Sequence, residues 1–174
     1  MKNILVVVDI QNDFVDGALG TREAELIINN AVNAINSHNG AIFVTLDTHG
    51  EDYLNTAEGK NLPVPHCIKG TDGWRINSKI QEALNGREVI TTEKPTFGSL
   101  KLPELIKNYA GNDTFEITLI GLCTDICVIS NALILKANFP ESKINVIADC
   151  CAGVTPDAHK SALTAMKSCQ INII

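Results

Sequence analysis

Six short apolar runs recur along the chain: "ILVVVDI" (4–10), "AIFVTLD" (41–47), "EVITTE" (88–93), "EITLIGL" (116–122), "INVIADC" (144–150) and "QINII" (170–174). Several are near-continuous in Val, Ile and Leu, the pattern of strands covered on both faces. Helical patterns fall between them. Ala24, Ile28, Ala31 and Ile35 step by four, three and four, giving one apolar helix face. "NSKIQEAL" (77–84) and "LPELIKNY" (102–109) predict two more helices, and "TDICVISNALILKA" (124–137) a largely buried one. "TPDAHKSALTAM" (155–166) opens with Thr155 as an N-cap and Pro156 at the first helical position. Strand–helix alternation requires right-handed crossovers. The expected fold is therefore an α/β, three-layer αβα sandwich: a Rossmann-like open parallel sheet of five to six strands. Such sheets carry their sites at the carboxyl ends of the strands.

The 174 residues fit one domain, 1–174, and contain no linker, repeat or low-complexity tract. The one long irregular segment, about 48–75, exceeds what a connection in a compact domain needs, and long ordered loops usually carry function. With 45% apolar and 20% charged residues the chain reads as a globular protein. A net charge of −6 without clustered Lys or Arg argues against nucleic acid or an anionic membrane as partner. The opening apolar run ends at Asp9, too short for a secretory leader, and no run approaches a bilayer span. The six cysteines include no CxxC pair, so they are expected to be reduced, in a cytoplasmic protein, and mostly buried.

Three residues of chemical interest fall at predicted strand ends: Asp9, Lys94, and Cys127 within "GLCTDICVIS" (121–130). Each has a plain reading alone: a capping aspartate, a solvated lysine, a packed cysteine. Their conjunction on one sheet edge says more. Thr124 or Asp125 is expected to cap the helix. Cys127 then lies in its first turn, where unpaired N–H groups favour a thiolate and offer donors to an oxyanion. Cys123 precedes the cap and has less reason to ionise. His38 and His159 fall at a helix end and within a helix, where exposure or packing is the expected role. The other two histidines are His49 and His66; Asp9 is the alternative to a histidine base, with burial raising its pKa and Lys94 lowering it.

"VVVDIQNDF" around Asp9, "EKPTFGSL" around Lys94 and "GLCTDICV" around Cys127 together resemble the isochorismatase-like cysteine hydrolases over nearly the whole chain. The resemblance implies an Asp9–Lys94–Cys127 triad that cleaves C–N bonds of small amides. It also implies a cis Leu122–Cys123 peptide that turns the Cys123 N–H toward the oxyanion, beside that of Cys127.

"LDTHGEDYLNTAEGKNLPVPHC" (46–67) is similar to the metal segment of the nicotinamidase branch. Asp47 and His49, spaced i, i+2 at a strand end, can point the same way. With His66, and Glu58 as the least secured ligand, the resemblance implies a divalent ion: zinc first, manganese or iron as alternatives. The competing readings are exposed loop histidines and a surface glutamate. The chain departs from that branch in carrying "DTHG" for "DWHP" and Pro63 where an aromatic residue is usual. Phe14 and Phe97 match other aromatic positions of the substrate pocket. Trp74 either lends a further ring or packs the loop against the domain.

The resemblance thus implies hydrolysis of nicotinamide to nicotinate and ammonia through a thioester, by a homo-oligomer. Two alternatives stand beside it: a family amidase acting on a carbamoyl, ureido or other small amide, and a non-catalytic metal- or ligand-binding module.

Overall fold

The structure is a computed structural model that describes residues 1–174. The elements, in chain order, are β1 (Lys2–Val8), α1 (Asn12–Val15), α2 (Arg22–Ser37), β2 (Ala41–Asp47), a 3-10 turn (Tyr53–Asn55), α3 (Ala57–Asn61), α4 (Ser78–Leu84), β3 (Val89–Lys94), α5 (Lys101–Ala110), β4 (Phe115–Leu122), a π-turn (Thr124–Val128), α6 (Ile129–Asn138), β5 (Lys143–Ala152), α7 (Pro156–Ser168) and β6 (Asn172–Ile173). No helix is long and apolar enough to cross a membrane.

All strand pairings are parallel, and the six strands run in the order β3-β2-β1-β4-β5-β6. The chain winds one way from β1 and the other way from β4. The switch point therefore lies between these two strands, where open α/β sheets leave a crevice beyond the carboxyl ends.

Alternation along β1 divides the core. Leu5 and Val7 pack with α2 and α4, through residues such as Ile28, Ile35, Ile80 and Leu84. Ile4, Val6 and Val8 pack on the opposite face with Leu102 and Ile106 of α5, Ala132 and Leu135 of α6 and Met166 of α7. Both sheet faces are covered, which explains the unbroken apolar runs Ile4–Val8 in β1 and Ala41–Val44 in β2.

The expected strands and main helices are present with small boundary differences. The segment 48–75 is less irregular than its sequence implies, since it holds the 3-10 turn and α3. Thr56 caps α3 by accepting from the Gly59 N–H at 3.0 Å. Thr155 caps α7 in the same way, accepting from Ala158 at 3.1 Å. The expected cap before α6 is absent. Asp125 Oδ1 instead accepts from the Val154 N–H at 3.0 Å, and Thr124 Oγ1 lies 2.8 Å from His159 Nδ1. The two side chains are drawn to the first turn of α7 and to the β5–α7 connection, and Cys123, at the cap position, makes no side-chain cap.

At the switch point β1 and β4 approach closely. A Cβ on Gly121 would collide with the Val8 carbonyl, and its φ of 129° lies where side chains are strained. Glycine is required there.

Candidate active site

The carboxyl ends of β1, β2, β3 and β4 deliver Asp9, Asp47, Lys94 and Cys127 to one buried cluster. Asp9 follows β1 directly and has a φ of 46°, the left-handed region that Asp tolerates better than most residues. Its N–H donates to the Thr45 carbonyl at 3.2 Å, and its own carbonyl accepts from the Gln11 N–H at 2.8 Å. This tight turn aims the carboxylate across the sheet edge. Thr45 Oγ1 donates to Asp9 Oδ1 at 2.7 Å, fixing one oxygen. Oδ2 lies 2.7 Å from Lys94 Nζ yet accepts no well-directed hydrogen bond. That oxygen is left with capacity for a further proton.

Lys94 is the centre of the cluster. Besides Asp9, its ammonium meets Asp47 Oδ1 at 3.2 Å, the Thr96 carbonyl at 3.0 Å and Cys127 Sγ at 3.6 Å. Burial pulls its pKa down. The neighbouring charge of Asp9 first, and that of Asp47, outweigh burial and hold the lysine charged well above its ordinary range, and a thiolate formed at Cys127 would add to them. Burial raises the pKa of Asp9, with Lys94 pulling the other way, as the sequence implied.

Cys127 departs from expectation. Burial first, and the adjacent Asp9 carboxylate second, push its thiol well above the ordinary value, against the opposing pull of Lys94. The helix start does not make a resting thiolate. The sulfur keeps its proton at rest, and the carboxylate beside it is that of Asp9. Cys123 is pushed up to about 12, by burial and then by Asp125 and Asp9. The Leu122–Cys123 peptide is cis. The Cys123 N–H donates to no acceptor in the protein, while its carbonyl accepts from Ile126 and Val128 at 3.1 and 3.0 Å.

Beside this cluster lie Asp47, His49, Glu58 and His66, with one ligand atom from each and all four within 4.8 Å of one another. Asp47 Oδ2 is 2.9 Å from His49 Nε2 and 3.5 Å from His66 Nε2, and Glu58 Oε1 is 3.7 Å from both imidazoles. A tetrahedron with bonds of 2.0–2.1 Å has edges of about 3.3 Å, so this spacing suits a small divalent ion. His66 Nδ1 lies 2.8 Å from the Val64 carbonyl, which can only accept, so Nδ1 carries the proton and Nε2 turns its lone pair inward. Burial works against charging His66, but Asp47, the Val64 carbonyl and Glu58 together raise its pKa. The imidazole thus senses a field that attracts a cation. For Asp47, burial is outweighed by the adjacent imidazoles of His49 and His66 and by the Lys94 ammonium, which hold the carboxyl well below its usual range. The donor set fits a borderline metal such as zinc.

A narrow cavity of about 50 Å³ reaches both clusters. Its apolar walls are Phe14, Leu19, Leu62, Phe97 and Ile126, and its polar lining is Asp47, Glu58, His66, Cys123 and Cys127. That volume admits a small planar group and no extended ligand. Wider surface clefts of about 300 and 670 Å³ touch neither cluster. Trp74 lines the larger of these, not the cavity, and its indole N–H donates to Thr48 Oγ1 at 2.9 Å. Of the two roles open to it, loop packing is the one its position matches. Pro63 is exposed, and neighbouring Leu62 supplies the wall there.

Several supporting residues escape a reading of the sequence. Gln11, fully buried, accepts from the Asp47 N–H at 2.8 Å and donates to the Asp47 and Trp74 carbonyls at 2.9 and 2.8 Å. Asp13 Oδ2 accepts from the Cys67 N–H at 2.7 Å and thereby seats the residue after His66. Tyr53 packs edge-on against His49 and His66, with ring centroids 4.8 and 5.0 Å away. Gln11 had one available signal, its i+2 spacing from Asp9 just past a strand. Asp13 and Tyr53 had none.

Residues 3–174 match the family model described as an isochorismatase domain. The isochorismatase family protein PncA of Bacillus subtilis (strain 168) is 31% identical over 143 residues, covering 76% of this chain and 78% of the relative. The nicotinamidase/pyrazinamidase of Mycobacterium tuberculosis (strain H37Rv) is 25% identical over 184 residues, covering 98% and 97%. The crystal structure of nicotinamidase/pyrazinamidase PncA from Bacillus subtilis superposes with a TM-score of 0.83 at 26% identity, covering 99% of each chain.

Proposed function

Because this chain belongs to the isochorismatase family, we propose that it is a cysteine-dependent amidohydrolase that converts nicotinamide and water to nicotinate and ammonia. The observation that carries the reading is the buried Asp9–Lys94–Cys127 cluster, with contacts of 2.7 and 3.6 Å at the lysine, beside a four-donor metal cluster on one small cavity.

The chemistry follows from the charges. Asp9 Oδ2 takes the Cys127 thiol proton while Lys94 balances the carboxylate and the emerging thiolate. Sγ attacks the amide carbon, and the N–H groups of Cys123 and Cys127 hold the tetrahedral oxyanion. The C–N bond breaks as the amide nitrogen takes the proton from Asp9, and ammonia leaves a thioester. Water then gives a proton to Asp9 and its oxygen to the acyl carbon. The C–S bond breaks, the acid departs, and the proton returns to sulfur. Asp47, His49, His66 and Glu58 would hold a divalent ion, zinc by its donor set, which supplies a Lewis acid for a ring nitrogen or a water. The walls of Phe14 and Phe97 would orient a flat ring in the cavity that Asp47, Glu58, His66 and Cys127 also line.

Ammonia release from a panel of amides, with and without chelation, tests the reading. Saturable, metal-dependent turnover of nicotinamide is expected. Preference for a carbamoyl or ureido compound would move the protein to the second reading, which the Leu62 wall beside Pro63, in place of a further ring, favours. His66→Ala should lower metal content, read by elemental analysis, and weaken metal affinity by about a hundredfold or more. An unchanged metal content would remove His66 from the ligand set. The reading extends to a reduced, cytoplasmic protein, in keeping with six free thiols, and to a homo-oligomer for sedimentation to test.

A further inference from the structure

We propose that Asn131 is a positioning residue that fixes the Phe97 wall of the cavity against the helix of Cys127 and so sets the preference between ring-bearing and smaller amides. The inference rests on the reading that Cys127 hydrolyses amides.

Phe97 lines the cavity but is 44% exposed, so its own packing cannot settle where the ring stands. It sits between β3 and α5, in a segment with no regular structure to hold it. The fully buried Asn131 supplies what is missing. Its Oδ1 accepts from the Ser99 N–H at 2.9 Å, and its Nδ2 donates to the Phe97 carbonyl at 3.2 Å and the Cys127 carbonyl at 2.8 Å. Both amide hydrogens are used, in a place where an unpaired polar group is costly. Asn131 is four residues beyond Cys127, one helical turn, so the same side chain grips the wall and the nucleophile's backbone.

The rest of the segment closes in around this clamp. Lys94 Nζ donates to the Thr96 carbonyl at 3.0 Å on one side of Phe97. A Cβ on Gly98 would collide with Ile134 of α6, so the loop lies directly on that helix. The Phe97 ring is thus carried on a backbone fastened to the helix that carries the sulfur. A ring-bearing substrate feels any loosening, whereas an amide of acetamide size does not reach that wall.

Asn131→Ser separates the two grips. A helical serine hydroxyl bonds the carbonyl four residues back, which keeps the link to Cys127 and severs the loop. The ratio of kcat/KM for nicotinamide to that for acetamide is expected to fall about tenfold, the worth of roughly two lost hydrogen bonds. Phe97→Ala should give a similar fall, and the double variant no further one, because both act through the same ring. Equal losses on the two amides, or multiplicative losses in the double variant, would overturn the proposal. Asn131→Leu, which fills the space without hydrogen bonds, replaces the serine variant if that fails to fold. A wild-type protein that releases ammonia from no amide would sink the function, not the clamp. The clamp is then read from Cys127 alkylation resolved by mass spectrometry. The ratio of N-phenylmaleimide to iodoacetamide rates should rise about fivefold in the variant as the wall loosens, and an unchanged ratio would overturn it.

Discussion

Alanine at position 127 is expected to remove ammonia release, lowering kcat by at least about ten-thousandfold, as loss of a covalent nucleophile does elsewhere. Alanine at position 123 should leave most of the turnover. The contrast follows from the site. Cys127 Sγ stands 3.6 Å from the Lys94 ammonium, next to the carboxylate that can take its proton. Cys123 is assigned a role through its backbone N–H, which alanine keeps. Each substitution removes one small sulfur, buried at Cys127 and half-buried at Cys123, so urea denaturation should show losses of only about 1 kcal/mol. Stopped-flow acylation and steady-state ammonia assays on the two variants make the check. Turnover by Cys127→Ala above about one per cent of wild type would end the covalent mechanism.

Lys94→Met is the second large effect, and it reaches stability as well as catalysis. The ammonium is 1% exposed and lies 2.7 Å from Asp9 and 3.2 Å from Asp47. Removing it leaves two carboxylates buried without their cation, a change expected to cost about 3–5 kcal/mol. Arginine should not rescue it, because a planar fork cannot take the place of a compact ammonium that meets two carboxylates, a carbonyl and a sulfur. The loss should depend on pH. Without Lys94, the folded-state pKa of Asp9 rises further above the ordinary 3.8. The folded variant then binds a proton that the unfolded chain does not, so its stability rises as pH falls. The deficit against wild type should narrow between about pH 7 and pH 4 in metal-free protein. A constant deficit would mean that Asp9 does not depend on Lys94 for its charge.

Much of the fold was legible because its determinants are local. Continuous Val and Ile runs in β1 and β2, the apolar face of α2 and the Thr155–Pro156 start of α7 each report an element without knowledge of the rest. The candidate residues at strand ends followed from the same reading, since a parallel sheet gathers such ends on one edge. The helix after β4 was harder. Thr124 and Asp125 are good caps by type, but they find partners in α7 and in the β5–α7 connection, which no local pattern announces. The protonation of Cys127 was misjudged for a related reason. A helix start favours a thiolate, but complete burial beside a carboxylate opposes it more strongly.

By itself the sequence determined the alternation of strands and helices, the parallel sheet, and which carboxylates, ammonium and thiol stand at or just beyond its strand ends. These follow from side-chain periodicity and chain direction, which act over a few residues. The tertiary structure alone decided that Gln11 holds Asp47, that Asn131 ties Phe97 to Cys127, and that Trp74 faces a different cleft. Those are contacts between segments from 4 to 63 residues apart, and charge, burial and hydrogen-bond geometry there depend on the packed whole.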